Sequence, residues 1–143
     1  MCIRDSIYAS RFDMMRDLVS GGTGAEIGVL NGLFSRFLLD EIGAEQLFLY
    51  DLNMDQARAD VLDDPRTTAM IGDSAANLGK APDESFDWIY IDGDHRQAGV
   101  RRDVQAARKK IKPGGFLVFN DYTPWSVGEV MPYGVMPLSL IHI

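Results

Sequence analysis

Acidic residues recur in this chain just where short apolar runs stop. Glu26 and Gly28 close the first run, Asp51 the second, and Asp73 follows the third. Asp92 and Asp94 follow the fourth, and Asn120 with Asp121 the fifth. Each alone reads as a cap or a turn former, since a short carboxylate satisfies loose backbone N–H groups. The complete set asks for a further account. In Glu26-Ile27-Gly28-Val29-Leu30-Asn31-Gly32 the glycines would let a ligand approach the backbone, and the helix that follows would favour an anion. A tight turn with positive φ at Gly32 explains the same residues. Asp51 stands where a carboxylate accepts both hydroxyls of a ribose, or caps the next helix. His95, beside Asp94, is a general base for a hydroxyl or amine, or a capping or solvent-facing histidine.

The elements that must position these residues follow from periodicity. Three- and four-residue spacing predicts helices over 7–19, 33–42, 55–62 and 97–111, with a short helical turn over 75–78. Continuous apolar runs predict strands over 25–30, 47–52, 67–71, 86–91 and 116–120. Lys112-Pro113-Gly114-Gly115 reads as a turn between the last helix and the last strand. Strands alternating with helices define an α/β protein with a doubly wound, mostly parallel sheet. In such a sheet ligands bind beyond the carboxyl ends of the strands, which is where the acids stand.

Composition sets the outer bounds. A chain of 143 residues, 46% apolar and 24% charged, is globular and has room for one domain. The net charge of −7 opposes a polyanion, so no nucleic-acid partner is expected. No apolar run reaches the roughly 18 residues a membrane span needs, and no membrane partner is expected either. A single Cys excludes a disulfide framework. The two ends stand apart. Leu138-Ser139-Leu140-Ile141-His142-Ile143, back-translated and read on the opposite strand, encodes Met-Cys-Ile-Arg-Asp, the start of the chain. Residues 1–6 and 138–143 are therefore read as non-native, adapter-encoded ends, and 7–137 as a truncated natural segment.

Several motifs now fall in order. They are Glu-x-Gly-x-x-x-Gly at 26–32, Asp51 after Leu-Phe-Leu-Tyr, Gly72-Asp73-Ser74, Asp92-Gly93-Asp94-His95, Lys112-Pro113-Gly114-Gly115 and Asn120-Asp121-Tyr122. The series resembles the class I S-adenosylmethionine-dependent methyltransferases, and among them the small-molecule O-methyltransferases of macrocin and cephalosporin-cluster type. The resemblance implies a Rossmann-like core of about five strands here, with the family's last two edge strands missing. It implies transfer of a methyl group from S-adenosylmethionine to a small-molecule acceptor, most naturally a hydroxyl. Glu26, Gly28 and Gly32 would line the methionine end, Asp51 would hold the ribose, and Asp73 with Gly72 and Ser74 would sit by the adenine. Asp92 would face the reacting centre with His95 as the other catalytic candidate. Related enzymes bind Mg²⁺ through the acid ending the fourth strand and a pair ending the fifth, which here are Asp92, Asn120 and Asp121. The alternative is that Asp121 caps the turn and Asn120 satisfies its own backbone.

Two other readings stay open from sequence. One is an NAD-dependent oxidoreductase, against which stands the missing Gly-x-Gly-x-x-Gly. The other is a non-catalytic domain with a vestigial nucleoside site. Arg101, Arg102, Arg108, Lys109 and Lys110 read as a solvated helix face, and Trp88 reads as packing. Tyr122 and Trp125 are placed for substrate contact. A cytoplasmic location is expected, and the oligomeric state is not legible.

Overall fold

The computed structural model describes Tyr8, residues 10–120 and the backbone of residues 125–126 and 131–132. Ser10 caps the first helix, α1 (Arg11–Leu18), its Oγ accepting from the Asp13 amide at 3.2 Å. Five strands follow: β1 (Thr23–Ile27), β2 (Gln46–Asp51), β3 (Thr67–Ile71), β4 (Phe86–Ile91) and β5 (Ile111–Phe119). Between them run α2 (Leu33–Asp40), α3 (Ala59–Leu62), α4 (Ser74–Leu78) and α5 (Gln97–Ala107). The sheet order is β3-β2-β1-β4-β5, and every pairing in it is parallel. This is the doubly wound Rossmann-like arrangement that the alternation of elements predicts. Two further strands, β6 (Trp125–Ser126) and β7 (Met131–Pro132), form a separate antiparallel pair.

The twofold period of the strands sorts the core into two halves. Leu47, Leu49, Trp88 and Tyr90 face one way, onto Phe34, Phe37 and Leu38 of α2, Met15 of α1 and Val61 of α3. Ala25, Ile27, Tyr50, Ile89 and Ile91 face the other, onto Leu78 of α4 and Val100, Val104 and Ala107 of α5. Both faces of β1 and β4 are therefore covered, which explains why these strands read as unbroken apolar runs.

Several predicted boundaries move: the first strand runs over Thr23–Ile27 rather than 25–30, and α2 ends at Asp40 rather than at 42. The helix expected over 55–62 forms only at Ala59–Leu62, because the Ala57 amide turns back to the Met54 carbonyl and Arg58 is extended, tied to the Asn31 carbonyl. The helix expected to reach Ile111 stops at Ala107, and Ile111 already pairs with Phe86 of β4. Lys112-Pro113-Gly114-Gly115 is not a turn between elements. It is an irregularity inside β5, where the register against β4 shifts between Phe86 and Trp88, and Gly114 takes a positive φ of 84°.

Candidate functional site

The ladder runs one residue past β1, β3, β4 and β5 and lines up the loops that leave the sheet. Gly28 N donates to Tyr50 O, Gly72 N to Asp51 O, Asp92 N to Ile27 O and Asn120 N to Ile91 O, at 2.8–3.1 Å. A cleft of about 610 Å³ opens above this edge. Glu26, Gly28, Asp51, Gly72, Asp73, Ser74, Asp92 and His95 all line it. That volume suits a ligand of nucleoside size.

Gly28 must be glycine. Its φ is +88°, and a Cβ there would meet the Asp92 carbonyl oxygen at 2.1 Å. Gly32 does not line the cleft. At φ 74° it starts α2, its amide bonded to the Val29 carbonyl at 3.1 Å, which is the turn role that its type allowed.

Glu26 sits in the floor at 1% exposure and accepts from Ser35 Oγ at 2.6 Å. Burial pushes its carboxyl up to about 8, with Asp92 and Asp51 adding to the rise and Ser35 and Arg11 opposing it. Asp51 caps no helix, since α3 starts from Arg58. Its Oδ2 instead accepts from the amides of Val29 and Leu30 at 2.7 and 3.2 Å, holding the β1–α2 loop and the positive φ of Leu30 (53°). Asp73 caps α4 through the Ala76 amide at 2.8 Å and pairs with Arg102. The capping bond first, and Arg102 second, hold its carboxyl below the usual range. Ser74 Oγ donates to Asp103 at 2.6 Å, while burial pushes the Asp103 carboxyl up.

Asp92 Oδ1 accepts from Asn120 Nδ2 at 2.9 Å, and Oδ2 from Arg11 Nη1 at 3.2 Å. Of the residues that the resemblance offers to Mg²⁺, Asp92 and Asn120 thus touch, but Asn120 turns its amide nitrogen and not its oxygen to Asp92, and Asp121 lies outside the described residues. Among the described residues no group of three His, Cys, Asp or Glu is placed to hold an ion. The described donors do not make a cation site by themselves. The donor set does fit a nucleoside carrying positive charge, with carboxylates at the carboxyl ends of β1 and β2 and in the loops after β3 and β4.

Sequence reasoning missed Arg11, Arg102 and Asp103, all of which line the cleft. Arg102 reads in sequence as part of a solvated face, yet it pairs with Asp73. Lys110 of the same run is buried, its Nζ bonded to the Ala81 carbonyl and Asp83. Only tertiary pairing reveals these roles. Trp88 packs in the core at 1% exposure, as expected, with Nε1 donating to the Gly21 carbonyl at 3.0 Å. The side chains of Tyr122 and Trp125 lie outside the described residues. Among the described residues no helix is long and apolar enough to cross a membrane.

Fold and cleft together define an α/β domain with an acid-lined cleft at the carboxyl edge of its sheet, the edge where such sheets bind ligands. The chain belongs to the Methyltransferase domain family, which matches residues 25–122. The MycE methyltransferase of the mycinamycin biosynthetic pathway, solved with Mg and SAH, superposes on 90% of the chain with a TM-score of 0.64 and 22% identity. An S-adenosylmethionine dependent methyltransferase from Mesorhizobium loti superposes on 75% with a TM-score of 0.58 and 28% identity. A spermidine synthase from Thermotoga maritima shares the fold over 75% of the chain, with a TM-score of 0.53 and 20% identity. The chain spans 38%, 50% and 43% of those three structures. No curated protein matches the sequence.

Proposed function

We propose that the protein of which this chain is part transfers the methyl group of S-adenosylmethionine to a small-molecule acceptor, with a hydroxyl as the acceptor group. The observation that carries the reading is the convergence of Glu26, Asp51, Asp73 and Asp92 on one cleft in a chain of this family. When bound, the cofactor supplies an electrophilic methyl on a sulfonium, and its transfer asks the protein chiefly for alignment and exclusion of water.

Each role falls to a named group. Asp51 Oδ2 is committed to the loop amides, while Oδ1 accepts only a long bond from the Asn53 amide at 3.4 Å and keeps a lone pair for ribose hydroxyls. Gly72, Asp73 and Ser74 form the wall proposed for the adenine. Leu52, 74% exposed in the cleft lining, offers it an apolar surface. Glu26 draws the ammonium of the methionine end. Asp92 is assigned to the reacting end, and His95, which also lines the cleft, is assigned the proton that the acceptor hydroxyl gives up. A Mg²⁺ at Asp92 would require Asp121 and the release of Arg11 from Oδ2, so no role is given to a metal.

Calorimetric titration of S-adenosylhomocysteine into the chain, after circular dichroism has established folding, tests the reading. Binding is expected in the wild type and should vanish in Asp51→Ala. A folded wild-type chain that takes up no S-adenosylhomocysteine would overturn it.

A further inference from the structure

Arg11 has no part in the roles above. It opens α1, upstream of the family-matched residues, yet its side chain lines the cleft at the Glu26 and Asp92 end. Its guanidinium carbon lies 4.6 Å from the centroid of the Phe34 ring and 5.6 Å from that of Phe12. Phe34 is fixed in turn by Phe12, Phe37 and Tyr90, with ring centroids 5.5, 5.4 and 4.5 Å away. A planar fork is thus held on a rigid aromatic base, and the bond to Asp92 at 3.2 Å and a looser approach to the Tyr90 hydroxyl engage only part of its five N–H groups. The side chain remains 36% exposed, open to the cleft.

The charges around it say what that fork can receive. Six acids line the cleft: Glu26, Asp51, Asp73, Asp92, Asp94 and Asp103. That field welcomes a cation and repels a carboxylate. A ligand with an α-amino-acid end carries both charges on one carbon, so its carboxylate needs a local cation. The cleft lining holds two arginines among the described residues. Arg102 is engaged with Asp73, on the side proposed for the adenine. Arg11 stands by Glu26, close enough for its charge to act on that carboxyl. A carboxyl that gives up its proton when an ammonium docks on it, and a guanidinium, at one end of a cleft are the complement of an amino-acid zwitterion.

We infer that Arg11 reads the carboxylate of the cofactor's amino-acid end while Glu26 takes its ammonium, and that this pair makes the cleft select sulfur nucleosides bearing a free α-carboxylate. The inference rests on the proposed function and deepens it. It also gives α1 a purpose that the family-matched residues alone do not supply.

The test compares two probes on the wild-type chain, Arg11→Gln and Arg11→Lys by calorimetry. One probe is S-adenosylhomocysteine. The other is its decarboxylated counterpart, an adenosine thioether with a plain aminopropyl chain. The wild type should prefer the carboxylate-bearing probe by roughly tenfold or more. Arg11→Gln should lose that preference by weakening S-adenosylhomocysteine alone, and Arg11→Lys should restore part of it. Equal binding of both probes by the wild type would overturn the inference and leave the cofactor reading standing. So would an equal loss of both in Arg11→Gln, the mark of a merely structural arginine. Binding of neither probe by the folded wild type would bring down both.

Discussion

Glu26 is a carboxyl placed where its own charge is unwelcome. It is sealed from water, with one hydroxyl for support and two other acids nearby. Its ordinary value is 4.5 and the folded one about 8, so between those limits the folded chain keeps a proton that the unfolded chain gives up. Stability contributed by this group is therefore complete below about pH 4.5 and declines as pH rises from there through 8. Glu26→Gln keeps an acceptor for Ser35 and removes the titration. We expect thermal melts of the two proteins to agree near pH 4.5 and to diverge as the pH approaches 8. The variant should then be the more stable by a few kcal/mol at most, since each tenfold difference in proton affinity is worth ~1.4 kcal/mol. Parallel melting curves across the range would refute this. Glu26, Asp51 and Asp92 were legible from sequence because an acid after an apolar run is a local signal. Arg11 was not, since its partner lies 81 residues away and nothing local marks an arginine on a surface helix as turned inward.

The loops do their positioning through backbone, and glycine marks where. Gly24 lies inside β1 opposite Trp88, and a Cβ there would fall 2.0 Å from the indole ring. That ring is buried and tethered through Nε1, so it has no room to give way. Gly43 offers the contrast, with a positive φ of 73° and nothing within 4 Å of the added carbon. Gly43→Ala should cost about 1 kcal/mol, the conformational strain alone. Gly24→Ala should cost more than about 3 kcal/mol, because overpacking forces the strand pair apart. Urea denaturation of both variants measures the difference, and similar midpoints would show that β1 and β4 can separate without loss. Element types were legible because periods of 2 and 3.6 are local properties. Of the boundaries that moved, those at Ala59, Ala107 and Ile111 depend on hydrogen bonds to distant segments: Arg58 to Asn31, and Ile111 pairing with Phe86. Gly114 illustrates the same limit, since a Pro-Gly-Gly run signals a break without saying whether it falls between elements or within one.

At the scale of the molecule, alternation of strands and helices was enough to expect a parallel sheet, because right-handed crossovers leave few other topologies. The order β3-β2-β1-β4-β5 adds what alternation does not carry: the chain reverses between β1 and β4, and there Gly28 meets Asp92. The charge of −7 then acts together with the acids of the cleft. S-adenosylmethionine carries a net positive charge, while S-adenosylhomocysteine, lacking the sulfonium, is a neutral zwitterion. The two ligands are nearly the same size, so their association rates should separate by charge. At about 10 mM salt, where the screening length is near 30 Å, S-adenosylmethionine should bind several-fold faster. At about 500 mM salt the field is confined to a few ångströms and the two rates should converge. Stopped-flow fluorescence at the two ionic strengths resolves the effect. Equal rates at low salt would mean that the carboxylates act only in contact, through Glu26, Asp51 and Asp92, and not as a field that gathers the cofactor.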